Sequence, residues 1–261
     1  MGKKISKLVE EIFSLAVSMD QSGKLRNSIY AIKNKIYILN SDSTVLLRFF
    51  LRKFETPFDH PVAFRANDYD SREFEERDGN IVFITKEGGY LREKSCRIPD
   101  STPEEIEKLY LSYDTEEADN EVIIPKTILS LLEDGLSHIE FRGENGKLYM
   151  VQRDIYSGSI IEISKDKSAS GFGIDVDKKI SDFGPIGIRT NDFTSLFIFQ
   201  DQVNFNFFND DKSDYIYIKG LSNTVNMSGF ISCCRYDELS NITRSQEVED
   251  GREEQKVRRS K

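Results

Sequence analysis

Carboxylates, guanidinium groups and lysines recur in this chain at spacings that suit chemistry, and one such arrangement occurs twice. Arg65-Ala-Asn-Asp-Tyr69 and Arg189-Thr-Asn-Asp-Phe193 each set an arginine three residues before an aspartate, after short apolar runs at 62–64 and 186–188. An Asn-Asp pair can act as a general base or a metal ligand. Both residue types are also preferred helix N-caps, and each pair precedes an expected short helix. Capping is therefore the expected role of Asn67-Asp68 and Asn191-Asp192, while Arg65 and Arg189 pack their stems and remain candidates for touching phosphate. The acidic run Asp68, Asp70, Glu73, Glu75, Glu76, Asp78 lacks the Gly and terminal Glu spacing of a calcium loop and reads as a solvated face.

Phe205, Phe207 and Phe208, with Tyr215 and Tyr217, have the composition of a stacking platform for single-stranded nucleic acid. No Arg or Lys is interleaved among the three phenylalanines, so a sheet core is the favoured role. Lys3, Lys4, Lys7 and Lys126 fall at the beginnings of two expected helices, where cations gain nothing from the helix dipole. There is no Gly-rich phosphate loop, no Gly-x-Ser-x-Gly, no His-Glu-x-x-His and no paired nucleophile and base. The pattern thus argues against an enzyme and implies no cofactor. His60 and His138 have no Cys or acidic ligand pattern beside them, and Cys96, Cys233 and Cys234 lack metal-knuckle spacing, so no metal is expected. The three cysteines are expected as reduced core residues.

The elements that must position these residues follow from periodicity. Apolar residues at Ile5, Leu8, Val9, Ile12, Phe13 and Ala16 predict a helix over 3–19. A turn at 21–24, a hairpin over 28–39 and strands at 44–51, 81–85 and 90–98 follow, with Gly88-Gly89 between the last two. The segment 100–120 is a linker with an apolar centre at Leu109, Tyr110, Leu111 and Tyr113, expected to lie along a surface. Then the order restarts: Pro125 begins a helix, strands lie at 138–141, 147–153, 159–164 and 172–176, with a loop at 165–171 before the last. The second pentapeptide, a helix over 193–200 and strands at 203–208, 215–219 and 227–235 follow. From about 241 the chain is charged, with few large apolar residues, and a disordered tail is expected.

Composition sets the outer limits. The chain has 261 residues, 38% hydrophobic and 31% charged, enough for two cores of about 120 residues each. A net charge of −9 excludes coating nucleic acid by bulk attraction, though basic residues can still gather on one surface. No apolar run approaches the roughly 20 residues of a membrane span, and the N-terminus is not a secretory signal. The expected location is the cytoplasm of its cell or host.

Helix, strands, second short helix and strands, repeated across an acidic linker, resemble the DNA sliding clamps. The likeness is to the two-domain clamps of tailed phages and of the proliferating-cell-nuclear-antigen type. It rests on 121–135, 188–200 and 203–233 in the second half, and on 58–99, with Asp78-Gly-Asn-Ile81 at a hairpin, in the first. The resemblance implies an α+β fold of duplicated clamp domains with antiparallel sheets and two helices per domain. The boundaries would be 1–99, 100–120 as connector, 121–240 and 241–261 as tail. It also implies a homotrimeric ring around duplex DNA, a processivity factor for the replicative DNA polymerase, and loading by a clamp loader. Carried over by position, the pore-facing residues are Lys3, Lys4, Lys7, Arg65, Arg72, Lys126 and Arg189. Leu109, Tyr110, Leu111 and Tyr113 would border the groove for short apolar client peptides. The expected helix at 193–200 departs from the family in carrying no lysine. A β-rich virion or tail component and a single-strand-binding protein are the rival functions.

Overall fold

The computed structural model describes residues 3–19, 27–41, 43–53, 55–113, 120–132, 136, 138–144, 147–153, 160–162, 180–207, 215–221, 225–232 and 234–235. The expected turn at 21–24, loop at 165–171, strand at 172–176 and tail from 241 lie outside these residues, as do Phe208 and Cys233.

The first half begins with β1 (Lys3–Lys4) and α1 (Lys7–Ser18). Lys3 and Lys4 are thus strand residues, not helical ones: they pair with Phe74 and Glu73, and Ser6 caps α1 by accepting from the Val9 amide. Val9, Ile12, Phe13, Leu15 and Ala16 form the buried face of α1. The hairpin of β2 (Ser28–Ile32) and β3 (Lys35–Leu39) follows, then β4 (Val45–Leu51) and β5 (Val62–Arg65). A 3-10 helix at Ala66–Asp68 leads to β6 (Glu73–Arg77), β7 (Asn80–Glu87) and β8 (Tyr90–Ser95). The loop between β7 and β8 is Gly88-Gly89, with φ of 55° and 85°, the left-handed pair that a tight hairpin turn requires.

A helix, α2 (Pro103–Ser112), occupies the middle of the linker segment. The second half then repeats the order of the first. It runs β9 (Asn120–Pro125), a 3-10 helix (Lys126–Leu131), β10 (His138–Glu144), β11 (Lys147–Arg153), β12 (Ile160–Glu162) and β13 (Phe183–Arg189). After α3 (Thr190–Ser195) come β14 (Gln202–Phe207), β15 (Tyr215–Leu221), β16 (Val225–Ser232) and β17 (Cys234–Arg235). Two expected helices are corrected. Pro125 ends edge strand β9 and stands at the N-cap of a 3-10 helix of six residues, Lys126–Leu131, where a longer helix running to Gly135 was expected. The helix expected over 193–200 is instead the six residues of α3, whose Thr, Asn, Asp and Ser are weak helix formers. Leu196 and Phe197 follow it into the core.

Every strand pairing among the described residues is antiparallel. The largest sheet runs β5-β2-β3-β4-β16-β15-β14-β9 and joins the two halves where β4 meets β16. The other sheets are β1-β6-β7-β8 and β12-β11-β10-β13-β17. Counted within each half, β13-β10-β11-β12 matches β5-β2-β3-β4, and β8-β7-β6-β1 matches β16-β15-β14-β9. The two smaller sheets are therefore separated counterparts of the halves joined in the large one. Among the described residues their outer strands are β1 and β8 in the one and β12 and β17 in the other, and β8 and β12 are the counterparts of β16 and β4. No helix among the described residues is long and apolar enough to cross a membrane.

Candidate nucleic-acid interface

The duplicated pentapeptides enter the two short helices as strand-ending arginines. Arg65 and Arg189 occupy the N-cap positions, and neither helix has a side-chain cap bond. The capping role expected of Asn67-Asp68 and Asn191-Asp192 is thus corrected: these residues lie inside the turns. The aspartates are nearly buried, Asp68 and Asp192 each 4% exposed, and a buried carboxylate needs a charged partner. Arg189 Nε supplies one to Asp192 at 2.7 Å. In the first copy Arg97 does so, reaching Asp68 with Nη2 at 2.8 Å and its backbone N–H at 2.9 Å. Burial alone would raise the Asp68 pKa, and the bonds from Arg97 outweigh it, leaving the carboxyl below its ordinary value.

Six of the seven cations expected to face DNA, all but Lys126, are already engaged with the chain's own acids. Lys3 donates to Asp59 and Glu76, and the Asp59 hydrogen bond holds its pKa above the ordinary value. Lys4 lies 3.1 Å from Glu73, Lys7 3.9 Å from Glu11, and Arg72 3.2 Å from Glu10. Arg72 also donates to the Ile5 carbonyl, just ahead of α1. Arg65 donates to Ser28 Oγ at 2.8 Å and approaches Asp100 at 3.9 Å. Arg189 binds Asp192 and Thr44. Lys126 is exposed at the start of its 3-10 helix, anchored by its backbone N–H to the Asp201 carbonyl. Exposed ion pairs contribute only about 0–1 kcal/mol, so phosphates can compete for Lys4, Lys7 and Arg72.

Phe205 and Phe207 are fully buried and pack against Phe141, which places them in the sheet core and takes these two rings out of the stacking platform. Cys96 is buried, and burial pushes its thiol up to about 12.

The four residues expected to border a client groove divide into two pairs. Leu109 and Leu111 are 40% and 68% exposed, whereas Tyr110 is buried and Tyr113 stacks on Phe230 at 4.2 Å between centroids. Sequence reasoning missed α2 itself. Its signal was Thr102-Pro-Glu-Glu105: Thr102 Oγ1 accepts from the Glu105 amide and the Glu105 carboxylate accepts from the Thr102 amide, a capping box with proline at the first helical position.

No protein-family model matches the sequence, and no curated protein matches it. The fold does have counterparts among solved structures. It is similar to the PCNA2–PCNA3 complex of Sulfolobus tokodaii with a TM-score of 0.53 and 13% identity, over 89% of this chain and 99% of that one. It is similar to the proliferating cellular nuclear antigen of Entamoeba histolytica with a TM-score of 0.52 and 8% identity, over 89% and 97%. The chain has the sliding-clamp fold. At these identities the likeness is one of architecture. Within the clamp fold, the repeated strand order and the paired short helices account for the duplicated pentapeptides: each marks the passage from a strand into the second helix of a repeat.

Proposed function

We propose that the chain is a non-enzymatic sliding clamp. Three copies close a ring around duplex DNA and tether a replicative DNA polymerase, in the cytoplasm of a cell or of a phage host. The observation that supports this is the correspondence of the two outer strands β8 and β12 with β16 and β4, which pair inside the chain. Inside the chain β4 joins β16 to complete an eight-stranded sheet. Joining β12 of one copy to β8 of the next would build the same sheet again from the remaining half-sheets. Outer strands invite such strand addition, and a head-to-tail contact whose rotation closes yields a ring. Topological linkage then needs no sequence-specific contact. Lys4, Lys7, Arg72 and Lys126 are the proposed phosphate contacts, with the part-exposed Arg65 and Arg189 held by partners within the chain. The domains proposed are 1–99 and 121–240, with 100–120 as connector.

The solution mass tests the ring directly. Three chains of 30.1 kDa give about 90 kDa, and a clamp loader should place this assembly on circular duplex DNA, from which it escapes once the circle is cut. A stable 30.1 kDa monomer at micromolar concentration would end the proposal. Leu91→Glu, on the exposed edge strand β8, should shift the mass toward monomer without lowering the unfolding midpoint.

A further inference from the structure

β8 differs from its counterpart β16 in what holds it. Six of the eight residues of β16 are buried, with Met227 and Ile231 in one apolar cluster and Phe230 in the other, so its register is fixed by packing on both faces. β8 has no buried residue, and among the described residues its one ladder neighbour is β7. A strand that buries no apolar face specifies its register weakly, and a slip of one residue turns every side chain to the other face.

The side-chain ties on β8 are charged. Arg92, Glu93 and Lys94 are consecutive, and each reaches back to the segment between β5 and β7. Arg92 lies 3.9 Å from Asp70, and Lys94 Nζ donates to the Asn67 carbonyl at 3.0 Å. Glu93 has the strongest of the three: Arg77 donates Nη1 to its Oε2 and Nη2 to its Oε1, both at 2.7 Å, a bidentate fork. The same guanidinium donates Nε and Nη2 to Glu75 Oε2 at 3.0 and 2.8 Å. Arg77, the last residue of β6, thus spans β7 to grip β8. Its bonds hold the Glu93 carboxyl below its ordinary value. Exposed ion pairs contribute little singly, and bidentate geometry within a shared network is the exception.

We infer that Arg77 is the positioning residue for β8 in assembly: its fork on Glu93 holds β8 in the register in which it is added to β12 of a second copy of this chain. This rests on the ring proposed above. The two kinds of junction then differ in chemistry. Inside the chain β4 meets β16 through buried apolar residues, whereas the junction between copies depends on an exposed ion pair and weakens as salt screens it. A strand that holds the competent register for only part of the time lowers apparent affinity by that fraction.

The test uses the full chain with Arg77→Met, which keeps the stem and removes the guanidinium, and separately with Glu93→Gln on β8 itself. Sedimentation reads the trimer dissociation constant, and amide exchange at 90–95 is read on the dissociated chain. Both variants should exchange faster at 90–95 and dissociate at least about tenfold more readily. Their unfolding midpoints should stay unchanged, because the two side chains are 44% and 39% exposed. Raising salt from about 0.1 to about 1 M should weaken the unsubstituted trimer and change the Arg77→Met trimer less. Variant trimers with the dissociation, exchange and salt response of the unsubstituted chain would overturn the inference and keep the ring. Weaker trimers with unchanged exchange would overturn it too, since Arg77 would then touch the neighbouring copy directly. A chain that stays monomeric, yet exchanges faster at 90–95 in both variants, would end the ring and keep Arg77 as the residue that sets the register of β8.

Discussion

Arg189 Nη2 donates to Thr44 Oγ1 at 2.8 Å, across 145 positions of sequence. The arginine of the second pentapeptide is thereby tied to the residue just before β4 in the first half, close to where the large sheet joins the halves. The same Thr44 oxygen accepts from Asn40 Nδ2 at 2.8 Å. Thr44→Val keeps the shape and removes the acceptor, and should cost about 1–2 kcal/mol. Arg189→Ala should cost more, about 3 kcal/mol, because nearly buried Asp192 loses its guanidinium. In a double-mutant cycle by urea unfolding the two losses should fall short of additive by at least about 0.5 kcal/mol. Strict additivity would show that the bond carries no coupling between the halves.

Asp68 gives the fold a defined acid sensitivity. Its folded pKa is depressed, so its stabilising contribution is fully present above the ordinary aspartate value of about 3.9 and is lost as pH falls through the lower folded value. Asp68→Asn should lower stability by about 2 kcal/mol at neutral pH. Urea midpoints followed downward from pH 7 should show the gap between the two proteins constant at first, then narrowing below about pH 4. A gap that persists unchanged to pH 3 would mean that the Arg97 pairing does not set this carboxyl's ionisation.

Gly229 marks the closest approach at the junction of β16 with β4. A Cβ there would lie 2.4 Å from the Leu46 carbonyl oxygen and 2.8 Å from Leu47 Cδ2, and the first of these is backbone that cannot step aside. Gly229→Ala should therefore destabilise by about 2 kcal/mol, the usual range for overpacking. Chemical denaturation with an unchanged m value reads this directly. A neutral substitution would show that the two half-sheets slide more freely than their register of Gly229 against Leu47 implies.

The amount visible in the sequence differed by element for physical reasons. α1 was legible because one helical face is continuously apolar from Val9 to Ala16, and the hairpin at Gly88-Gly89 because two left-handed residues leave few alternatives. The pentapeptides were legible as a repeat but not as ion pairs, since Asp68 finds its cation 29 positions away at Arg97 and Asp192 finds its own three away. Helix α2 was hidden by its composition: Glu104, Glu105 and Glu107 read as linker, and only the sheet beneath shows what Ile106 and Tyr110 cover. The pairing of β4 with β16 joins residues about 180 positions apart, as in Arg48 with Ser228, which local periodicity does not encode.

Phe207 separates the clamp from a strand-binding protein. Its ring is fully buried, stacked on Phe183 at 5.1 Å and beside Phe141 at 5.2 Å. Phe207→Ala should cost about 3–5 kcal/mol as a core cavity. Any effect on single-stranded DNA should then follow the folded fraction measured by circular dichroism. A folded variant that alone loses strand binding would restore the stacking platform.

The sliding interaction itself should register in salt dependence. Lys126 is exposed at the start of a 3-10 helix, whereas Lys4 shares Glu73 with Lys86 and must exchange that partner for a phosphate. Removing one lysine–phosphate interaction should reduce the slope of log affinity against log salt by about 0.9. Lys126→Ala should approach that value, and Lys4→Ala should fall short of it, because the released Glu73 repels the same phosphate that the lysine attracts. Retention on closed circular duplex, measured from about 50 to about 200 mM salt where counterion release has a large effect, distinguishes the two. Slopes identical to the unsubstituted protein in both variants would place the DNA-binding surface elsewhere on the chain.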